Sequence, residues 1–412
     1  MNHSFYVHLP RNIIPMKKKF FISLLIACIG LTALADDSIK SKCPQFIAVN
    51  LSDGIILPTR KVVSGKHIAP HLTALTLKYG FKAKGNSWQD YEFGLPYKGI
   101  GVYLPHFSRK EMGDPFSVFL FQGGRLKELN TRTSLHYEIN LGASFNWKHY
   151  DTFDNPAFIA LGSSVNVHLA GSWYFKWKLS QKFDLHTGLS INHYSNGALR
   201  TPNNGLNSLS AFVELAYNLH AKEETKLMDK ATFLPPKFNK RTAHDFAVMF
   251  TTRTIKLDEL ENDLMSKYPR KRFKVAGISY SYMLHNTRRF MWGPSIESVY
   301  DESANASFWG ETDAHTGKYS EYCKLGKPED RFSVGLSLKG EVTMPGYSIF
   351  ANLGYDVLHP NKRDQRLYQI YGLKVYLVDN LFATFGVRST NLTRSQYLYL
   401  NIGYTINQYR KK

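Results

Sequence analysis

The chain has 412 residues, of which 43% are hydrophobic and 14% aromatic, and it carries a formal net charge of +19. That length is far above what a stable core needs. No stretch beyond the first 35 residues is long and apolar enough to cross a membrane as a helix. The histidines His67 and His71 flank Pro70 and cannot share a helical face. With no C-x-x-C or Cys/His spacing either, no metal site is expected.

The first 35 residues read as a secretory leader. Lys17, Lys18 and Lys19 precede an apolar run from Phe20 to Leu34, and Ala33-Leu34-Ala35 supplies a small-residue cleavage site. Met16 is a second candidate start, and Leu25-Ile26-Ala27-Cys28 is a rival, lipoprotein-like cleavage site. Removing a leader with four cations and no acid leaves about +15 on the mature chain. For an exported protein that charge argues against nucleic acid. It favours anionic lipid headgroups or phosphorylated glycolipids. Two cysteines then remain, Cys43 and Cys323, which permit one disulfide.

After an N-terminal segment over 36–64, period-two alternation predicts one strand after another. In the region 65–220 these are Leu72–Lys82, Tyr91–Leu104, Phe116–Arg125, Ser134–Trp147, Ser163–Lys178, Lys182–Ser195 and Asn207–Leu219. Parity asks for an eighth, within 46–63. A charged linker containing Pro235-Pro236 spans 221–243. The region 244–412 adds Asp245–Ile255, Arg272–Leu284, Arg289–Tyr300, Arg331–Met344, Tyr347–His359, Arg366–Val378, Asn380–Ser389 and Gln396–Gln408. Tight turns at Ser180-Gln181, Gly346 and Asp379 alternate with long loops over 148–162 and 302–330. This is the pattern of an all-β, antiparallel outer-membrane β-barrel, whose tilted strands need about 9–11 residues to span. A soluble barrel or sandwich is the alternative. The two halves read as a diverged duplication, forming either one barrel of about 14–16 strands or two eight-stranded units.

One hairpin carries chemistry. Phe183, Leu185, Thr187, Leu189, Ile191, His193 and Ser195 share one face of a strand, and Asn207, Leu209, Ala211, Val213 and Leu215 share one face of the next. His193, Ser195 and Asn207 therefore stand together at one end of an apolar surface. A serine hydroxyl needs a base within reach to become a nucleophile, and His193 stands two residues from Ser195. Such a pair at the rim of a greasy face suits an enzyme acting on a lipid. Glu214 is the nearest downstream acid, but its parity turns it to the opposite face.

His193-Tyr194-Ser195-Asn196, the following Pro202-Asn203, and Gly205 resemble the active-site hairpin of the PagL-type lipid A 3-O-deacylases. The close match covers about 15 residues within a compatible strand pattern over 65–220. The resemblance implies an outer-membrane barrel that hydrolyses an acyl ester of lipid A without cofactor or metal. It makes His193 the general base and Ser195 the nucleophile. It assigns oxyanion support to Asn196, Asn203 and the backbone near Gly197 and Ala198, whose order is reversed relative to the family. The family's third member is a glutamate, and Asn207 takes its place here. An asparagine holds the histidine tautomer through its amide oxygen but adds no charge. Arg200 is open to two readings, a contact to a lipid A phosphate or a solvated loop arginine. The expected partners are lipopolysaccharide or another membrane lipid and the outer membrane itself. The rival readings are a non-catalytic barrel, channel or structural, and a phospholipase of similar chemistry. The sequence does not define an oligomeric state.

Overall fold

The protein is described from a computed structural model covering residues 43–57, 62, 71–219, 235–260 and 263–409. The expected leader, the first residues of the 36–64 segment and much of the charged linker lie outside the described residues.

The chain forms two closed antiparallel barrels of eight strands each, so of the two arrangements open in the sequence it adopts the paired one. The first barrel runs β1 (Gln45–Ile56), β2 (His71–Lys82), β3 (Tyr97–Phe107), β4 (Gly113–Glu128), β5 (Thr133–Trp147), β6 (Asn166–Lys178), β7 (Phe183–Ser195) and β8 (Leu206–Asn218). It closes by pairing β8 with β1, with Glu214 opposite Asn50. The second takes β9 (Arg241–Arg253), β10 (Phe273–His285) and β11 (Phe290–Asp301). A small separate hairpin follows, β12 (Ser307–Thr312) with β13 (Tyr319–Lys324). The barrel then continues through β14 (Phe332–Met344), β15 (Tyr347–Leu358), β16 (Leu367–Val378), β17 (Leu381–Thr390) and β18 (Arg394–Tyr409). It closes β18 on β9, with Ile402 opposite Val248.

Side chains alternate across each wall, and the polarity is inverted relative to a soluble protein. Along β8, Val213 and Leu215 are exposed while Glu214 and Asn218 are buried. Leu189, Ile191, Trp173, Val248, Ile278, Leu338 and Ile402 are likewise exposed apolar groups on the outer walls. An apolar exterior around a polar lumen is what a hydrocarbon surround demands. No helix among the described residues is long and apolar enough to span; the strands supply the crossing.

The lumens hold ion pairs that satisfy one another. In the first barrel Lys78 Nζ lies 2.6 Å from Glu138 and 2.8 Å from Glu214, and the His186 ring shares Glu214 at 2.8 Å. In the second, Arg388 bridges Asp356 at 2.6 Å and Glu297 at 3.2 Å. Buried charges persist only when paired in this way. Aromatic and aliphatic packing gathers at the first barrel's long-loop mouth, where Phe107, Met112, Trp147, Phe158, Leu161, Tyr194 and Leu206 are buried together.

The eighth strand that parity places within 46–63 is β1, in which Asp53 lies mid-strand and pairs with His71 on β2 at 2.9 Å. Two readings of the sequence need correction. The expected strand from Tyr91 begins only at Tyr97, because Trp88–Glu92 forms a helical turn capped by Ser87 Oγ. The loop over 302–330 contains the β12–β13 hairpin, in which Trp309 stacks on Tyr322. The thiols of Cys43 and Cys323 are both free.

Candidate active site

Strands β7 and β8 pair in a register that sets His193 directly opposite Asn207. Their side chains meet: His193 Nδ1 lies 2.6 Å from Asn207 Oδ1. An amide oxygen can only accept, so Nδ1 carries the proton and Nε2 is left as the basic nitrogen. Ser195 stands two residues on, on the same outward face, and all three groups are half-buried. Below them on that face lie exposed Ile191, Leu189, Leu169 and Trp173. The register is held from the lumen side, where Tyr194 stacks on His168 with centroids 4.8 Å apart and packs against Trp147. Glu214 points into the lumen and is bound by Lys78, His186 and Asn50.

Gly205 makes room for the imidazole. It has a φ of +73°, and a Cβ placed there would stand 3.1 Å from His193 Cε1. Its N–H donates to the Ala160 carbonyl at 3.1 Å, tying the return strand to the buried β5–β6 loop.

Beyond Ser195 the chain turns at once. Gly197 and Ala198 both have positive φ, +59° and +64°, and the turn is closed by Leu199 N–H donating to Asn196 O at 3.1 Å. Asn196 is buried and committed to this loop. Its Nδ2 donates to Ser163 Oγ at 2.8 Å and to Arg200 O at 2.9 Å, and its N–H donates to Asn203 Oδ1 at 3.0 Å. Asn196 and Asn203 therefore shape the turn. The N–H groups of Gly197 and Ala198 donate to no acceptor among the described residues.

The second barrel supports the turn from behind. Ala198 O accepts from Thr254 N–H at 2.8 Å and from Thr254 Oγ1 at 3.3 Å. Thr201 N–H donates to Thr254 Oγ1 at 2.7 Å, and Thr201 Oγ1 donates to Ile255 O at 3.0 Å. Leu398 of β18 packs so closely on Gly197 that a Cβ there would collide with it. Leu398 shares the outward parity of exposed Ile402 and Tyr404, yet it is buried, because the turn covers it. Sequence reasoning missed Ser163, Thr254 and Leu398. Each is an ordinary residue far from the hairpin in sequence: Ser163 is brought to it by the β5–β6 loop of the same barrel, and Thr254 and Leu398 by the packing of the second barrel on the first. No cluster of histidine, cysteine and acidic side chains able to hold a metal occurs among the described residues.

A closed barrel with an apolar outer wall and a polar, ion-paired lumen is an outer-membrane β-barrel protein. Residues 74–216 match the family model described as lipid A 3-O-deacylase (PagL), and residues 243–408 match the one described as acyloxyacyl hydrolase, C-terminal domain. One match falls on each barrel. The chain belongs to the PagL-type lipid A 3-O-deacylase family, with the family's second domain following the first, and is an outer-membrane acyl hydrolase. No curated protein matches the chain. Among solved structures it is similar to the outer membrane enzyme PagL, at 17% identity over 40% of this chain and 97% of that one, with a TM-score of 0.31. It is also similar to the siderophore receptor PirA from Pseudomonas aeruginosa, at 10% identity over 89% and 81% of the two chains, with a TM-score of 0.23.

Proposed function

We propose that the protein, exported by its leader, removes an ester-linked acyl chain from lipid A by a serine–histidine mechanism on the outer wall of the first barrel. The observation that carries this reading is the 2.6 Å contact between His193 Nδ1 and Asn207 Oδ1 beside Ser195, on a face that continues into exposed apolar side chains. The acyl chain lies along Ile191, Leu189 and Leu169, in continuity with the bilayer, and its ester reaches the rim where the polar residues begin.

Ser195 Oγ attacks the ester carbonyl carbon as His193 Nε2 takes the hydroxyl proton. The carbonyl oxygen becomes an oxyanion, and the amides of Gly197 and Ala198 are the donors with capacity to receive it. Donors fixed before reaction are often the largest catalytic term. Collapse breaks the bond to the sugar oxygen, which leaves with the proton from His193. Water, deprotonated by the same nitrogen, then attacks the acyl-serine and releases the fatty acid. Asn207 holds the tautomer throughout. As a neutral group it steadies the imidazolium less than a carboxylate would.

The test is mass spectrometry of lipid A from membranes carrying the parent protein, Ser195→Ala or His193→Ala. The parent is expected to remove one acyl mass and the variants none. Fatty acid released from glycerophospholipids with lipid A untouched would replace this reading with the phospholipase. Identical lipids in all cases, with the proteins folded in the outer membrane, would replace it with a non-catalytic barrel.

A further inference from the structure

The active-site turn lines a cavity of about 180 Å³ whose other wall is the second barrel. Four cations line it, Arg253, Lys256, Arg363 and Arg394, against two carboxylates, Asp258 and Asp364. The acids do not cancel the cations evenly. Arg253 is held between Asp301 at 2.7 Å and Asp364 at 2.6 Å, and Asp364 also accepts from Asn361. Asp364 is thus already occupied, whereas the Asp258 carboxylate forms no salt bridge among the described residues. Lys256, Arg363 and Arg394 form no salt bridge among the described residues. Arg363 keeps its Nη1 buried with no hydrogen-bond partner among them. A buried guanidinium donor left unsatisfied is costly, and a cavity that keeps one is built to receive an acceptor. The floor is polar backbone and hydroxyl from Ala198, Thr201 and Asn203, within a few residues of the nucleophile.

We infer that this interbarrel cavity binds a phosphomonoester on the headgroup of the lipid substrate, with Arg363 and Arg394 as its principal donors and Lys256 at its exposed edge. The inference rests on the lipid A reading above and deepens it. A planar guanidinium fork matches phosphate oxygens in a way that a lone ammonium does not. The position fits as well: the cavity is lined by residues of the turn that follows Ser195 in the chain, Ala198 and Thr201 to Asn204. Arg200, the sequence candidate for a phosphate contact, lies beyond the Thr201–Thr254 contact, in a neighbouring cavity with Arg270 and Arg272.

The experiment measures binding in the full-length Ser195→Ala protein in detergent micelles, so that turnover does not enter. The probes are phosphorylated lipid A, the same lipid A stripped of phosphate, and inorganic phosphate as competitor. Phosphorylated lipid A is expected to bind at least about tenfold more tightly than the stripped form, the scale of one charge-assisted contact. That preference is expected to vanish in Arg363→Gln/Arg394→Gln, to persist in Arg363→Lys/Arg394→Lys, and to be untouched by Lys127→Gln/Lys178→Gln at the short-turn end. Equal binding of the two lipids, or a preference that survives the double Gln change, would overturn the inference even if hydrolysis depends on Ser195. Inorganic phosphate that binds without displacing the lipid would overturn it too, assigning the cavity to a free anion. Phosphate-selective binding in a protein whose parent hydrolyses nothing would keep the cavity and overturn only the catalytic reading.

Discussion

The hairpins β7–β8 and β17–β18 hold the same place in their barrels, as the last two strands before closure, and they have been put to opposite uses. In the first, a ten-residue connection at 196–205 separates strands whose outward ends carry His193, Ser195 and Asn207. In the second, three residues at 391–393 join the strands, with Asn391 and Leu392 at positive φ, and no histidine stands at the strand end. There Arg388 turns inward to the lumen ion pairs, and Leu398 turns outward against Gly197. One hairpin presents reactive groups and the other braces the turn behind them. A barrel without such a site of its own can thus still support the hairpin of its neighbour.

The largest effects should separate the two hairpins by chemistry. Ser195→Ala or His193→Ala is expected to lower kcat by about 10³-fold or more. Ser389→Ala, in the bracing hairpin, should change it less than about twofold, since its buried hydroxyl has no partner among the described residues. Steady-state release of fatty acid from lipid A micelles reads both, and a comparable loss in Ser389→Ala would erase the division.

The brace is tested next. Gly197→Ala forces a side chain into positive φ, at about 1–2 kcal/mol, and drives it into Leu398. A loss of about tenfold or more in kcat is expected. Adding Leu398→Ala should recover the part due to collision and leave the backbone part. No recovery would mean that Leu398 does not set the turn. Thr254→Val strands the Thr201 N–H that its hydroxyl accepts, at about 1–3 kcal/mol. We expect kcat to fall about tenfold with little change in KM, and Thr254→Ser to restore it. A change confined to thermal stability would make Thr254 purely structural.

The smallest effects concern Asn207. Asn207→Ala should cost about tenfold in kcat as the tautomer loses its anchor. Asn207→Glu, which restores the residue type that the family resemblance implies, should equal or exceed the parent rate. A severe loss in Asn207→Glu would mean that this pocket is shaped for the neutral amide.

The architecture was legible because alternation is written locally. Each strand of β7–β8 shows its two faces in consecutive residues, and the pairing of His193 with Asn207 follows from their parity and the turn between them. The strand β1 was placed only within a range, because Asp53-Gly54 carries the chemistry of a turn and its two neighbours in the closed barrel override that preference. Whether the halves close separately could not be read, because closure depends on which edge strands meet, and Glu214 opposite Asn50 is a contact across 164 residues. The surroundings of Asn196 were not legible for a related reason: Ser163 and the Arg200 carbonyl, which take both of its amide hydrogen bonds, are identified only by the folded loop. The bracing by Thr254 and Leu398 left no local trace at all.

The central claim, that the first barrel's outer wall hydrolyses lipid A through Ser195, is tested most directly by mass spectrometry of lipid A from cells expressing the parent or Ser195→Ala. The account predicts loss of a single acyl mass with the parent alone. Unchanged lipid A in both, with each protein folded in the outer membrane, would contradict it.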